Sequence, residues 1–120
     1  MISFKVKNAQ LGKLQKYPEA FKRAQLIFDT QVLKDSNRYI PKDTGALENS
    51  GIIYSRLGTG HVGWNTPYAR RLYYNPRYNF STDKNPYARG LWFQYAKQNH
   101  IKEWKKVLAN YIVKELGGNQ

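Results

Sequence analysis

Apolar residues recur at spacings of three and four over two long stretches of this chain, alternate with polar ones over residues 2–6, and gather in two short β-prone runs in between. That pattern predicts two helical ends around a strand-bearing middle. From Tyr17 to about Arg38, Tyr17, Ala20, Phe21, Ala24, Ile27, Phe28, Gln31 or Val32, and Asp35 or Ser36 form one stripe of an amphipathic helix. Pro18 suits its first turn, Glu19 complements its positive end, and Lys34 and Arg38 lie towards its negative end. A second helix is predicted over residues 91–116. Its apolar side carries Leu91 or Trp92, Tyr95, Ala96, Trp104, Val107, Leu108, Tyr111, Ile112 and Leu116, and Gly117-Gly118 supplies the stop. At about 1.5 Å per residue it spans roughly 39 Å and is expected to cross the sheet.

The strand signals are shorter. Ile2, Phe4 and Val6 alternate with Ser3 and Lys5, the period of a half-buried strand. Gly51–Leu57 and His61–Asn65 are β-prone runs on either side of Gly58-Thr59-Gly60, which predicts a hairpin. Residues 9–16 suit a loop or weak turn as well as a helix, and Tyr68–Tyr74 fits either a third strand or a short helix. Residues 75–86 hold two prolines, three asparagines, Ser81, Thr82 and Asp83. They predict an irregular connection, extending to about residue 90, that acts as an arm ordering on a neighbour.

The helical and strand patterns meet at Pro41–Ser50. Ile40 precedes a proline and is pushed towards extended backbone, so the first long helix ends before Pro41. Asp43 and Thr44 are N-cap residues, Gly45 tolerates a tight approach, and Ala46–Asn49 form about one helical turn that Gly51 ends. Pro41, Asp43, Thr44, Gly45, Leu47 and Ser50 are therefore read as a structural turn. The fold class that follows is α+β, with N-terminal and C-terminal helices packed on a small antiparallel sheet. At 120 residues the chain is expected to be a single domain, 1–120.

Twenty Lys and Arg against eight Asp and Glu give a formal charge of +12, which predicts attraction to polyanions and acidic protein surfaces. Ten Tyr and three Trp enrich the chain in residues that protein interfaces favour. With no cysteine, disulfides, thiol catalysis and cysteine-ligated zinc are excluded. The first seven residues lack the apolar run of a signal peptide or membrane anchor, so synthesis and assembly in a cytoplasm are expected.

Candidate chemistry is sparse. His61 and His100 stand at no metal-ligand spacing and are read as structural or surface residues. Asp43 and Glu48 are the one acidic pair that suggests a divalent cation and phosphodiester hydrolysis, but capping explains Asp43 and solvent or a partner explains Glu48. Ser50 and Ser55 have no base within a recognisable spacing. Tyr68, Arg70, Arg71, Tyr73, Tyr74, Arg77 and Tyr78 mix cations with rings, as single-strand nucleic-acid binders and protein interfaces both do. No nucleic-acid module accompanies them, so an interface is preferred. No catalytic, cofactor or metal residue is assigned.

The segment Pro41-Lys42-Asp43-Thr44-Gly45-Ala46-Leu47-Glu48-Asn49-Ser50 after a first helix resembles the minor capsid and head-tail joining (neck, tail-completion) proteins of tailed bacteriophages. Thr66–Tyr74 and Ala88–Phe93, leading into the final helix, are similar to later signatures of that group, and the three run in order over residues 41–116. The resemblance implies a non-enzymatic virion protein, assembled in the bacterial cytoplasm. Its subunits would form a ring beneath the portal, continue the DNA channel and dock the tail. Partners would be portal or head-completion and tail proteins, with non-specific DNA contact and no membrane. Where tail-completion proteins often carry an acidic, glycine-containing segment after the Tyr-Ala pair, this chain reads Leu72-Tyr73-Tyr74-Asn75-Pro76, which is closer to the minor capsid variant. A small basic nucleic-acid-binding protein is the alternative.

Overall fold

A computed structural model of the chain describes residues 1–6, 8–42 and 45–117. Strand β1 (Ile2–Lys5) leads through a 3-10 helix (Ala9–Leu14) into helix α1 (Pro18–Asn37). Helix α2 (Ala46–Tyr54), strand β2 (His61–Trp64), helix α3 (Ala69–Tyr73) and helix α4 (Trp92–Leu116) follow. The strands β1 and β2 pair antiparallel, with Ile2 opposite Trp64 and Phe4 opposite Val62. The α+β class expected from the sequence holds, with helices flanking a two-stranded sheet.

Helix α1 is central because two of its faces are buried. One face carries Ala24, Phe28 and Val32 and continues to Asp35, and it packs against α4, where the Phe28 and Trp104 rings meet edge to face at 6.5 Å. Asp35 Oδ2 accepts hydrogen bonds from Trp104 Nε1 (2.7 Å) and Gln31 Nε2 (2.9 Å). Nearer the start of α1, Arg23 donates to the Tyr111 hydroxyl (3.0 Å) and pairs with Glu115 (3.3 Å). The partners climb α4 as they descend α1, so the two helices are antiparallel. This face is the predicted stripe with its edges trimmed: Tyr17 is exposed, and Phe21 and Ile27 are half-buried.

The other buried face of α1 runs at intervals of four through Gln25, Asp29, Leu33 and Asn37. It holds the corner formed by α2, the turn at residues 55–60 and β2. Asn37 Oδ1 accepts from Trp64 Nε1 at 2.9 Å. Asp29, 0% exposed, accepts from Gln25 Nε2 on one oxygen (2.6 Å) and from the backbone N–H groups of Gly58 (2.9 Å) and Gly60 (2.8 Å) on the other. Burial pushes the Asp29 pKa up, and the hydrogen bonds from Gln25, Gly60 and Gly58 oppose the shift.

Two expectations about the middle of the chain are corrected here. Residues 51–54 are helix, and the two expected hairpin arms form no ladder beyond an isolated bridge from Arg56 to His61; the strand beside β2 is β1. Nor does Gly51 end a one-turn helix. It lies inside α2 because a Cβ there would come within 2.5 Å of Trp64 Nε1, so only glycine lets the helix lie this close to β2. Leu47, Ser50 and Gly51 face the core, which fixes which side of α2 is inside.

Helix α4 starts one residue later than the first position considered, and its contact with the sheet is confined to its first turn. Phe93 stacks on Phe4 at 4.5 Å, and Trp92 meets the Trp64 and Tyr73 rings edge on at 5.8 and 4.7 Å. The remainder runs along α1, so α4 does not cross the sheet as a whole. Within its predicted stripe Trp104, Leu108 and Ile112 are buried and Tyr111 is half-buried, but Val107 is 38% exposed.

Candidate interaction surface

The run Tyr68–Tyr74 resolves as α3, a five-residue helix whose Ala69 and Tyr73, four apart, point into the core. Tyr73 is 0% exposed; its ring packs on Trp92 and Phe4, its backbone carbonyl accepts from Leu91, and its hydroxyl accepts from the Gln94 backbone N–H at 3.4 Å. Burial drives its pKa well above the ordinary tyrosine value. Tyr73 therefore is not a surface residue of the chain: the i, i+4 spacing that places it over Phe4 turns Arg70, Arg71 and Tyr74 outwards instead.

Those outward residues form a cation–ring surface. The Arg70 guanidinium lies 5.4 Å from the Tyr74 ring centre, Arg77 and Tyr78 follow exposed on the next segment, and Tyr68 is half-buried. On the outgoing side, Tyr78 N donates to Asn75 O and Asp83 N to Ser81 Oγ. The segment is irregular, as its composition predicts, but its return limb is fastened to the chain itself. Asn85 is buried and donates to the carbonyls of Arg38 (2.9 Å) and Ile40 (2.8 Å), and Arg89 N donates to Tyr39 O. The Arg89 guanidinium then lies 3.6 Å from the Tyr95 ring centre on α4. The outgoing limb carries no regular element between α3 and α4.

Part of the first signature segment meets this surface. Pro41 and Lys42 line a cleft of about 560 Å³ together with Leu72, Tyr78, Phe80 and Asp83. Asp43 and Thr44, expected to cap, lie outside the described residues. Gly45 precedes α2 in a left-handed conformation (φ 83°), and its carbonyl accepts from Asn49 N. Leu47 is buried. Ser50 Oγ donates to Leu47 O (2.7 Å) and accepts from Asn65 N (3.2 Å), and Ser55 Oγ bonds to Gly63, so both hydroxyls are occupied with backbone.

The acidic residues are similarly engaged. Glu48 pairs with Lys42 at 3.4 Å, Glu115 with Arg23, and Asp29 and Asp35 are buried. Burying two of the eight acids leaves the surface more positive than the formal charge alone implies. His61 Nδ1 lies 3.2 Å from Thr59 O, and His100 Nε2 meets the Tyr39 hydroxyl at 2.7 Å. Among the described residues no three His, Cys, Asp or Glu side chains gather as metal ligands, and no helix is long and apolar enough to cross a membrane.

Sequence reasoning missed two features. The Asp29 clamp was hidden because its row on α1 is mostly polar. The outer face of α2 was hidden because Ile52, Ile53 and Tyr54 look like strand residues; in the helix all three are exposed. Their signal was the absence of charge around two adjacent isoleucines.

No curated protein and no solved structure matches the chain. A family model described as "Minor capsid protein" matches residues 4–111, which takes in all three signature segments, most of the core and α4 as far as Tyr111. The chain belongs to this family of phage minor capsid proteins.

Proposed function

We propose that this minor capsid protein is a structural subunit of the head–tail junction of a tailed phage, where copies form a connector ring and present a docking surface to the tail. The observation that carries the reading is the exposed arginine–tyrosine surface of α3 and the segment after it, alongside the cleft walled by Pro41 and Tyr78. Tyr and Arg anchors lose most on truncation when they are buried between proteins. Arg70, Arg71, Tyr74, Arg77 and Tyr78 are thus the contact residues towards other virion proteins, of the portal or head-completion and tail kinds. Tyr68 supports them from beneath.

The role is mechanical and needs no catalysis. The positive charge of the chain suits a subunit lining a channel that carries DNA, and its contact with the phosphates is sequence-independent. Assembly then takes place in the host cytoplasm, with the protein retained in the virion. The deciding experiment replaces Tyr74 and Tyr78 by alanine in the phage. Filled heads and complete tails that fail to join, with an unchanged melting temperature of the purified chain, are the expected result. Normal virions from this variant, together with a purified wild-type chain that binds DNA tightly at physiological salt through these tyrosines, would favour the nucleic-acid-binding alternative instead.

A further inference from the structure

Helix α2 differs from every other α-helix here in having no Lys or Arg. Helix α1 carries Lys22, Arg23 and Lys34, α3 carries Arg70 and Arg71, and α4 carries Lys97, Lys102, Lys105, Lys106 and Lys114. The single charge on α2, Glu48, is neutralised by Lys42. Its outer face is formed by Ala46, Asn49, Ile52 and Ile53, with Tyr54 at the end; Ile52 is 61% and Ile53 71% exposed. Single exposed apolar residues need no explanation, but adjacent ones on an uncharged face mark a contact surface.

We propose that this face of α2 is covered by a second copy of the chain, with Ile52 and Ile53 seated in the cleft between Pro41 and Tyr78 of its neighbour. Charge selects the occupant. Two chains of +12 repel wherever basic faces approach, and the repulsion is least where neither surface carries net charge. The α2 face meets that condition. So does the cleft, where Lys42 is paired with Glu48 and the lining adds one residue of each sign, Asp83 and Lys84, while Pro41, Leu72, Tyr78 and Phe80 supply apolar walls. The chain's own α2 leaves Ile52 and Ile53 outside this cleft. A knob and a hole at different places on one surface make a head-to-tail contact, the kind that closes rings. An acidic protein or DNA would be drawn to the basic faces instead.

This inference rests on the ring part of the proposed function, and its test reads self-association rather than head–tail joining, so either can fail alone. Sedimentation velocity of the full chain should show association that strengthens as salt rises from about 0.1 M to about 1 M, because the screening length falls from about 10 Å to about 3 Å. Ile52→Asp with Ile53→Asp should weaken association at least ten-fold with an unchanged circular dichroism melt. Asn49→Arg, which keeps every apolar side chain, should weaken it too. Since the chain has no cysteine, mixing Ile53→Cys chains with Phe80→Cys chains should give a disulfide between the two kinds. A wild type that stays monomeric at high salt, association that weakens with salt, or variants that associate like wild type would overturn the proposal. Cross-linking of Ile53→Cys only to itself would overturn the head-to-tail pairing.

Discussion

The α1–α4 pair and the corner made by α2, the 55–60 turn and β2 are held to opposite sides of the same helix by different physics. Against α4, α1 offers a row of apolar side chains, Ala24, Phe28 and Val32, with the polar pairs of Arg23 and Asp35 at its two ends. Against the corner it offers Gln25, Asp29, Leu33 and Asn37, and the contact depends on a few polar pairs and one close approach at Gly51. The first interface distributes its stability over many methyl and ring contacts; the second concentrates it in single atoms. Substitutions should separate the two.

The largest effect is expected in the distributed interface. Leu108 is fully buried on α4, and Leu108→Ala should lower stability by about 2–5 kcal/mol through lost transfer energy and the cavity left behind. A urea denaturation curve measures it, and an unmoved midpoint would mean that α4 is not held by this stripe.

Next comes Asp29, on which the corner turns. Asp29→Ala leaves the Gly58 and Gly60 N–H groups without their acceptor; at about 1–3 kcal/mol for the buried Gly60 donor and about 1 for the part-buried Gly58 donor, the loss should be about 2–4 kcal/mol. The pH dependence has a definite sign. Because the folded-state pKa is raised, the Asp29 contribution is fully present below the unfolded value of about 3.9 and is lost as pH rises through the higher folded value. Wild type should therefore exceed the alanine variant by more in acid than at neutral pH, as paired melts at a series of pH values would show.

These two sites also explain what could be read from the sequence. Helices α1 and α4 were legible because each repeats one apolar spacing over five or more turns. The resemblance of the motifs at residues 41–50, 66–74 and 88–93 reached the right family. The hairpin was misread because β2 pairs with β1, far away in sequence, and nothing local announces a distant partner. Ile52-Ile53-Tyr54 followed strand propensity, yet Leu47, Ser50 and Gly51 on the opposite side of α2 bury against β2 and decide for helix. Among the interface residues, the same blindness to facing direction placed Tyr73 outside when α3 turns it in.

Gly51→Ala tests whether the corner is as tightly made as its geometry implies. In an ordinary exposed helix this change would gain up to about 1 kcal/mol of helix propensity. Here the new methyl would lie 2.5 Å from Trp64 Nε1, a fully buried ring already fastened to Asn37, so α2 must lift or the ring must turn. A loss of about 1–3 kcal/mol is expected, with tryptophan fluorescence altered. A stabilised variant would show that the corner yields.

The smallest effect is the sharpest contrast with Leu108. Val107 is its neighbour on α4 and belongs to the same apolar pattern in the sequence, but the buried side of α4 is the row Trp104, Leu108 and Ile112, and Val107 lies beside it, 38% exposed. Val107→Ala removes side-chain area that is largely in water already, so the folded state loses little that the unfolded state keeps. The change should stay within about 0.5 kcal/mol of wild type. If it costs as much as a core truncation in the isolated monomer, α1 and α4 must be rotated relative to the packing described. If it costs nothing in the monomer but weakens assembly, the exposed edge of α4 is itself a contact surface, separate from α2.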